Sequence, residues 1–301
     1  MFTRAAPQVA PGPRLPYVGD LLGRSRQARL GAWVAVVPLA FILGVIFVAI
    51  FAPWISPHPA QGAGESNLVA ILQPPSHTYP LGTDELGRDI LSRIFYGARV
   101  SLLTSFVVVA IAIVVGVMIG AAAGYAGGIV ETILMRLTDF FLAFPSLLLA
   151  MAIAVVIGPS LKNMILALAV SWWPWYARLV HGQAVVLRHL SFVRAARVAG
   201  VKPFTILIRH IVPNTITPVL IQGTSDVGSA IIAAAALSFL GLGAQPPTAD
   251  WGSMVSLGRE YILVQWWYVT FPGLAIFLTA IAFNLLGDTL RDINDASARR
   301  A

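Results

Sequence analysis

Four polar residues in a long apolar stretch, residues 216–240, are the side chains best placed to do chemistry inside a membrane. They are Gln222, Ser225, Asp226 and Ser229. Their spacing of three and four residues puts them on one face of a helix. An ionisable group within an apolar span marks a candidate functional site. Hydrogen bonding between packed helices is the alternative, and in either case the stripe must face protein or water rather than lipid.

The sequence lacks the residue patterns that a membrane-embedded enzyme would need. The chain has no cysteine, which excludes disulfides, thiolate metal sites and cysteine nucleophiles. It has neither an H-E-x-x-H pattern nor a P-loop that could cradle ATP phosphates. We therefore expect no catalytic residue, metal or cofactor on this chain. Its histidines all lie outside the predicted spans: His58, His77, His181, His189 and His210.

The composition is that of an all-α polytopic membrane protein. Of the 301 residues, 57% are hydrophobic and only 11% are charged, whereas soluble domains carry about 25% charged residues. A net charge of +7 would suggest nucleic acid as the partner of a soluble protein. Here the location of the charge matters more, and we expect no nucleic-acid partner.

Hydropathy predicts six transmembrane helices between residues 31 and 295, each about 20 residues or longer. Residues 1–30 contain five arginines and one acid, which predicts a cytoplasmic N-terminal tail. Six spans return the C-terminal tail, residues 296–301, to the cytoplasm. The predicted outer loops are 53–99 and 241–265, and the main cytoplasmic loop is 181–213. The predicted spans are 33–52, 102–124, 133–157, 161–179, 216–240 and 266–286.

Two of these spans carry further patterns. Gly116, Gly120 and Gly124 repeat at four-residue intervals, which is typical of helices that pack backbone to backbone in lipid. The third span contains Pro145, and Arg136 and Asp139 near its inner end are expected to form a local ion pair.

Aromatic residues mark the inner end of the fourth span, where residues 172–176 read Trp-Trp-Pro-Trp-Tyr. They predict an aromatic belt at the membrane interface, kinked by proline. Lining of a polar path is the alternative.

The loop at residues 192–214 combines small and basic residues. On an ideal helix, Ala195, Ala196, Ala199 and Gly200 form a smooth face that a partner could approach closely. Gly200 is a common helix stop, and Pro203 can begin a second short helix that ends near His210 and Pro213. Five Lys or Arg and no acid lie between Arg188 and Arg209, and burying them in lipid would cost roughly 12–17 kcal/mol. The loop is therefore not a span.

Charged residues crowd the first outer loop, and we expect them to form a solvated face held by local ion pairs. The last outer loop, residues 240–254, is too rich in Gly and Pro for a regular helix. The charged residues of the first loop are Asp84, Glu85, Arg88, Asp89 and Arg93.

Four segments together resemble one family. The loop motif resembles the coupling loop of permease subunits of bacterial ATP-binding-cassette (ABC) importers, with Ala195, Ala196, Gly200 and Pro213 at the matching spacings and Arg194 in place of the family's glutamate. Residues 79–102, 240–254 and the Asn-Leu-Leu-Gly-Asp-Thr-Leu-Arg-Asp segment near the C-terminus resemble its peptide/nickel branch. The chain is most similar to the C-type permease subunit of dipeptide and oligopeptide importers.

This resemblance implies a type I ABC-importer permease in a bacterial inner membrane. Implied partners are a homologous permease subunit, two ATP-binding subunits that hold ATP and magnesium, and an extracytoplasmic substrate-binding protein. The implied cargo is a dipeptide or short oligopeptide, with glutathione or a nickel chelate as alternatives, and the stripe on the fifth span would line the translocation path. The residues implied to contact the ATPases are Arg194, Ala195, Ala196, Ala199, Gly200, Pro203, His210 and Pro213.

A transporter of another class is the main rival. An ion-coupled secondary transporter needs a relay of ionisable groups within the bilayer and usually contains internal repeats. Asp139 and Asp226 are too few for such a relay, and the sequence shows no obvious repeat.

Overall fold

The structure is a computed structural model that describes the backbone of residues 18–298 and the side chains of residues 36–294. This part of the chain is all-α and contains no β-strand, only an isolated bridge between Thr83 and Asp89. The helices are α1 (Val18–Ile55), α2 (Pro59–Ala63), α3 (Ile90–Ala126), α4 (Gly128–Leu142), α5 (Ser146–Ile157), α6 (Leu161–Leu187), α7 (Ser191–Val198), α8 (Pro203–Ile206), α9 (Val212–Phe239), α10 (Trp251–Gly258) and α11 (Trp266–Ala298).

Within the described residues, four helices are long and apolar enough to cross a membrane: Val36–Ile55, Ile90–Ala126, Pro203–Phe239 and Trp266–Asn294. The bent pair α4 and α5 would supply a fifth span. Helix α6 is long enough at 27 residues but is less apolar. The predicted count of six spans therefore stays a prediction.

The third span predicted for residues 133–157 is not a single continuous helix. The chain breaks between Leu142 and Ser146, and α4 and α5 are bent by 86° relative to each other. Pro145 explains the break, because it lacks an N–H group and its ring disfavours helical geometry in the residue before it. It lies immediately before the first residue of α5.

Several other boundaries differ from the prediction, and at two of them a side-chain cap explains the difference. Helix α1 continues through Pro53 to Ile55. Helix α3 begins at Ile90, within the predicted outer loop, because the Asp89 carboxylate accepts the Ser92 N–H at 3.0 Å. Asp250 caps α10 in the same way within the last predicted loop. The first 17 and last three residues of the predicted tails lie outside the described residues.

Helices α3 and α6 pack backbone to backbone through the glycine repeat. A Cβ atom on Gly120 would overlap the carbonyl oxygen of Ala177, and one on Gly124 would lie 2.6 Å from the Cβ of Ala184. Gly116 meets α6 one turn further along, with the Trp173 carbonyl 2.7 Å from the position of a Cβ. The repeat therefore fixes the distance between the two helices.

The charged residues of the first loop are buried, so the predicted solvated face is wrong. Asp84, Arg88, Asp89 and Arg93 are each at most 3% exposed. Arg88 Nε lies 2.6 Å from Asp84 Oδ2, and Arg93 Nε lies 3.8 Å from the same oxygen. Buried charges are costly unless paired, so these ion pairs hold the loop in a defined shape.

The two loop segments 53–99 and 241–265, which we call the loop cap, are joined by contacts across more than 140 positions of sequence. Arg93 Nη1 donates to the carbonyl of Pro247 at 3.3 Å, and Trp251 Nε1 donates to the carbonyl of Ile94 at 3.0 Å. Ser101 donates to Asp250 at 3.3 Å. The cap is therefore one folded unit in which each segment supplies the polar partners of the other.

Two carboxyl groups of the loop cap resist ionisation. Burial, reinforced by the neighbouring Asp84 carboxylate, raises the pKa of Glu85, whose side chain also accepts a hydrogen bond from the Tyr268 hydroxyl. Burial raises the pKa of Asp250 above its usual value.

A single methyl group at the α3–α6 contact should destabilise the protein. Gly120→Ala forces the backbones apart, and we expect a loss of about 1–3 kcal/mol in the free energy of unfolding. Gly182→Ala on α6 is the matched control, because nothing lies within 4 Å of its Cβ position. It should leave stability unchanged or raise it by up to about 1 kcal/mol. Equal stability of the two variants in a denaturant titration in detergent would contradict the close packing.

Removing the shared acid of the loop cap should be strongly destabilising. Asp84→Asn leaves Arg93 buried without an anion and Arg88 with only its 3.4 Å contact to Glu85, and we expect a loss of about 3–5 kcal/mol in unfolding free energy. Glu65→Gln removes an exposed charge from the same segment and should change stability by less than about 0.5 kcal/mol. A loss for Asp84→Asn no larger than the Glu65→Gln control would show that the charges are solvated after all.

The pKa of Asp250 gives stability a defined pH dependence. Because its pKa is raised in the folded state, the folded protein holds the proton more tightly, and stability falls as pH rises from the unfolded pKa through the folded one. Asp250→Asn keeps a capping oxygen but cannot ionise. The stability of this variant should therefore fall less than that of the wild type as pH rises. Unfolding midpoints compared at about pH 4 and about pH 7 test this expectation. An identical pH dependence in the variant and the wild type would contradict it.

Candidate functional site

The polar stripe of α9 faces a cavity of about 600 Å³ between α9 and α6, which we call the α6–α9 cavity. Gln222, Asp226 and Ser229 line it together with residues of α6. Ser225 is not among the lining residues and lies instead against Gly287 of α11. The structure therefore brings three of the four predicted stripe residues together.

Asp226 is held by neutral hydrogen-bond donors. The Tyr176 hydroxyl donates to Oδ2 at 2.6 Å, and Gln222 Nε2 donates to Oδ1 at 2.9 Å. The other end of the Gln222 amide accepts from Arg291 Nη2 at 2.7 Å. In the described part of the chain, no Lys, Arg or His nitrogen lies within 4.0 Å of the Asp226 carboxylate. The carboxylate is thus oriented but has no ion-pair partner there.

The expected ion pair between Arg136 and Asp139 is wrong. Asp139 pairs instead with Arg178 of α6, and Arg136 is exposed. Pairs three residues apart on a helix contribute only a few tenths of a kcal/mol, so packing of α4 against α6 decides the partner. The Arg178–Asp139 pair places a second charged group at the α6–α9 cavity.

The aromatic segment of α6 contributes to the α6–α9 cavity, and both interpretations of the segment, interface belt and path lining, stay predictions. Trp172, Trp175 and Tyr176 all line the α6–α9 cavity. Trp173 is buried and contacts Phe141 edge to face, with 5.3 Å between the ring centroids. Periodicity alone could not separate the two interpretations, because the cavity depends on how α9 packs.

The break between α4 and α5 lies beside the same cavity. A second cavity of about 510 Å³ is lined by residues of the break and shares Ser146 and Trp175 with the first. Non-helical backbone at membrane depth is tolerated only inside protein or along a water-filled cavity. Wherever the break lies within the membrane, its backbone must therefore face protein or water rather than lipid.

In the loop at 181–213, the smooth face is smaller than predicted. Helix α7 ends at Val198, and Gly200 has a left-handed φ of +75°, which suits the predicted glycine stop. Val193 is fully buried and Ala196 packs against the core, whereas Ala195, Ala199 and Gly200 are exposed. Ala196 therefore belongs to the inner side of α7, since α7 must bury one apolar face to dock on the helices beneath it.

The second loop helix begins at Pro203 as predicted, but its predicted end near His210 and Pro213 is wrong. Helix α8 passes through a π-turn, Leu207–Ile211, directly into α9. The Val212 N–H bonds to the Leu207 carbonyl, and Asn214 Nδ2 donates to the His210 carbonyl at 2.7 Å. The wider turn accommodates Pro213, which would otherwise clash within an α-helix. One continuous 37-residue helix thus joins the loop to the polar stripe.

Apolar and basic groups are exposed together on the loop surface. Val198 and Phe204 are 90% and 73% exposed, and Arg194 is exposed beside them in sequence. Arg197 lies over the ring of Tyr125, with 5.5 Å from its Cζ to the ring centroid. Exposed apolar groups clustered in this way mark surfaces that bind another protein or a membrane.

The described part of the chain is all-α, with a cavity between α6 and α9 and an exposed loop that leads into α9. Residues 112–300 match the family described as binding-protein-dependent transport system inner membrane component. Residues 32–75 match the N-terminal transmembrane domain of oligopeptide transport permease C. The chain belongs to the family of binding-protein-dependent transport system inner membrane components. It is therefore a permease subunit of an ABC transporter and not an enzyme.

Several curated proteins are similar to the chain over most of its length. It is 45% identical over 268 residues to a probable D,D-dipeptide transport system permease protein of Escherichia coli K12, covering 89% of each chain. It is 46% identical to the dipeptide transport system permease protein of the same strain, covering 88% of this chain and 90% of the relative. It is 45% identical to the glutathione transport system permease protein of Shigella flexneri serotype 5b, covering 87% and 86%.

A solved structure shows the same fold. A chain of the MetNI methionine ABC transporter, in inward-facing conformations, superposes with a TM-score of 0.51 at 18% sequence identity. The match covers 67% of this chain and 96% of the other.

In the described residues, no group of three His, Asp or Glu side chains is arranged to hold a metal ion.

Proposed function

We propose that this chain moves dipeptides and short oligopeptides inward across the bacterial cytoplasmic membrane, driven by ATP that partner subunits hydrolyse. The observation that carries the proposal is the continuous helix Pro203–Phe239, which begins in an exposed loop and contributes Gln222, Asp226 and Ser229 to the wall of the α6–α9 cavity. The names of two relatives at 45% and 46% identity supply the substrate class.

In this proposal, the ATP-binding subunits act on the permease through the exposed part of the loop at 181–213. Two ATP-binding subunits, which hold ATP and magnesium, serve the complex, and one of them contacts Ala195, Ala199 and Gly200. These residues offer little side-chain bulk, so the partner surface can approach the backbone closely. Displacement of the loop is passed along the helix to Gln222 and Asp226, since α8, the π-turn and α9 form one hydrogen-bonded rod.

The proposed orientation follows the charge of the chain. The basic loop 181–213 and both tails lie in the cytoplasm, and the loop cap faces outward, where a substrate-binding protein docks on it. A homologous permease subunit covers exposed apolar faces of the helices, and the translocation path lies between the two permeases. Asp226, Gln222 and Ser229 line this path from the present chain.

Glutathione is the second candidate substrate, because one relative of nearly the same identity is named for its transport. A nickel chelate has less support, since the described residues contain no metal-binding cluster. Competition for uptake between labelled dialanine and unlabelled glutathione separates the two peptide substrates.

A bulky residue on the exposed loop face should uncouple hydrolysis from uptake. The complex is reconstituted in liposomes with its ATPases and binding protein, and uptake of labelled dialanine is measured with ATP on the cytoplasmic side. Ala199→Trp should reduce uptake about tenfold or more while the complex still hydrolyses ATP, because Trp at this position prevents close docking. Ala199→Ser, which adds almost no bulk at the same exposed position, is the matched control and should retain uptake.

The uptake assay can contradict the proposal in two ways. Undiminished uptake by Ala199→Trp would remove the loop from the coupling mechanism. Wild-type uptake that follows a proton gradient and continues without ATP or the ATPases would favour a secondary transporter.

A further inference from the structure

We propose that the α6–α9 cavity binds the positively charged amino group of the transported peptide, with Asp226 as its counter-ion. This inference rests on the proposed function, because it assigns to the permease itself a site for part of the cargo. It goes beyond the family assignment, which names no cargo-binding residue in this chain.

The charges that line the cavity do not cancel. Two ionisable groups of opposite sign line it, Arg178 and Asp226. Arg178 is already paired with Asp139, whereas the described residues provide no cationic nitrogen within 4.0 Å of Asp226. Arg291 is exposed and reaches Asp226 only through the Gln222 amide. The uncompensated charge at the cavity is therefore negative, which selects a cation and repels an anion.

The Asp226 carboxylate has acceptor positions left for a further hydrogen-bond donor. Each of its oxygens accepts one hydrogen bond, from Tyr176 and from Gln222, and a carboxylate oxygen can accept about two. A charged side chain at membrane depth is costly and normally finds a partner or lines an aqueous path. A primary ammonium group, with three N–H donors, would satisfy the remaining acceptor positions with charge-assisted hydrogen bonds.

The remaining lining also suits an ammonium group. Trp172, Trp175 and Tyr176 surround the cavity on the α6 side, and Trp175 is 63% exposed. Aromatic rings attract cations through the negative charge on their faces, and tryptophan does so most strongly. A metal cation fits less well, because the described residues contain no cluster of three ligating side chains.

Binding to the complex without its binding protein tests the proposal. The permeases and ATPases are assembled in nanodiscs, since a binding protein would add its own selectivity. The probes are radiolabelled dialanine and N-acetyl-dialanine, which lacks the ammonium charge. Wild type should bind dialanine about tenfold or more tightly than the acetylated peptide, the size expected for a charge-assisted hydrogen bond.

Three variants make the test specific. Asp226→Asn should lose the discrimination between the two peptides, whereas Asp288→Asn, which removes an exposed carboxylate from α11, should keep it. Retained ATPase activity of the complex shows that Asp226→Asn has folded, and Asp226→Glu, which restores the charge, should recover part of the discrimination.

The outcomes separate this inference from the proposed function. Equal binding of both peptides by wild type, binding of neither peptide, or full discrimination by Asp226→Asn overturns the ammonium site, even when ATP-driven dialanine uptake is normal. Absence of any ATP-driven peptide uptake by the wild-type complex with its binding protein overturns the proposed function as well.

Discussion

Contact between the backbones of α3 and α6 is the constraint on which the rest of the structure depends. Gly116, Gly120 and Gly124 bring the two helices so close that a single methyl group would overlap the α6 backbone. In a membrane, helices gain little from burying apolar surface, so close packing and interhelical hydrogen bonds must hold them. Helix α6 then presents Trp172, Trp175 and Tyr176 to α9, and the hydrogen bond from Tyr176 to Asp226 completes the cavity wall.

The loop cap buries charged groups at one end of the helices and must therefore pair them. Asp84, Arg88, Asp89 and Arg93 are buried, and their partners are one another, the N-terminus of α3 and the distant carbonyl of Pro247. Removing the Asp84 carboxylate leaves the buried Arg93 guanidinium without an anionic partner, which costs more than the contact contributes. The cap is therefore expected to be rigid, and a rigid surface suits the proposed docking of a binding protein.

Features set by local chemistry could be predicted from sequence, and features set by tertiary packing could not. The all-α class follows from composition, the glycine stop at Gly200 from the need for a positive φ, and the polar stripe of α9 from helical spacing. The 86° bend at Pro145 was missed because proline within a span can also produce a mild kink. The partner of Asp139, the burial of Asp84 and Arg88, and the π-turn before Val212 were missed because each depends on distant contacts or on how Pro213 is accommodated.

The central claim is that motion of the loop changes the cavity. The chain has no native cysteine, so spin labels can be placed at Leu148 on α5 and Leu220 on α9, two exposed positions on two helices that contribute to the cavity, in a complex with cysteine-free partners. Pulsed electron resonance then measures the distance between them with and without ATP. The account predicts that the distance changes on ATP binding and that Ala199→Trp abolishes the change. A distance that ATP leaves unaltered, or a change that persists in Ala199→Trp, would contradict it.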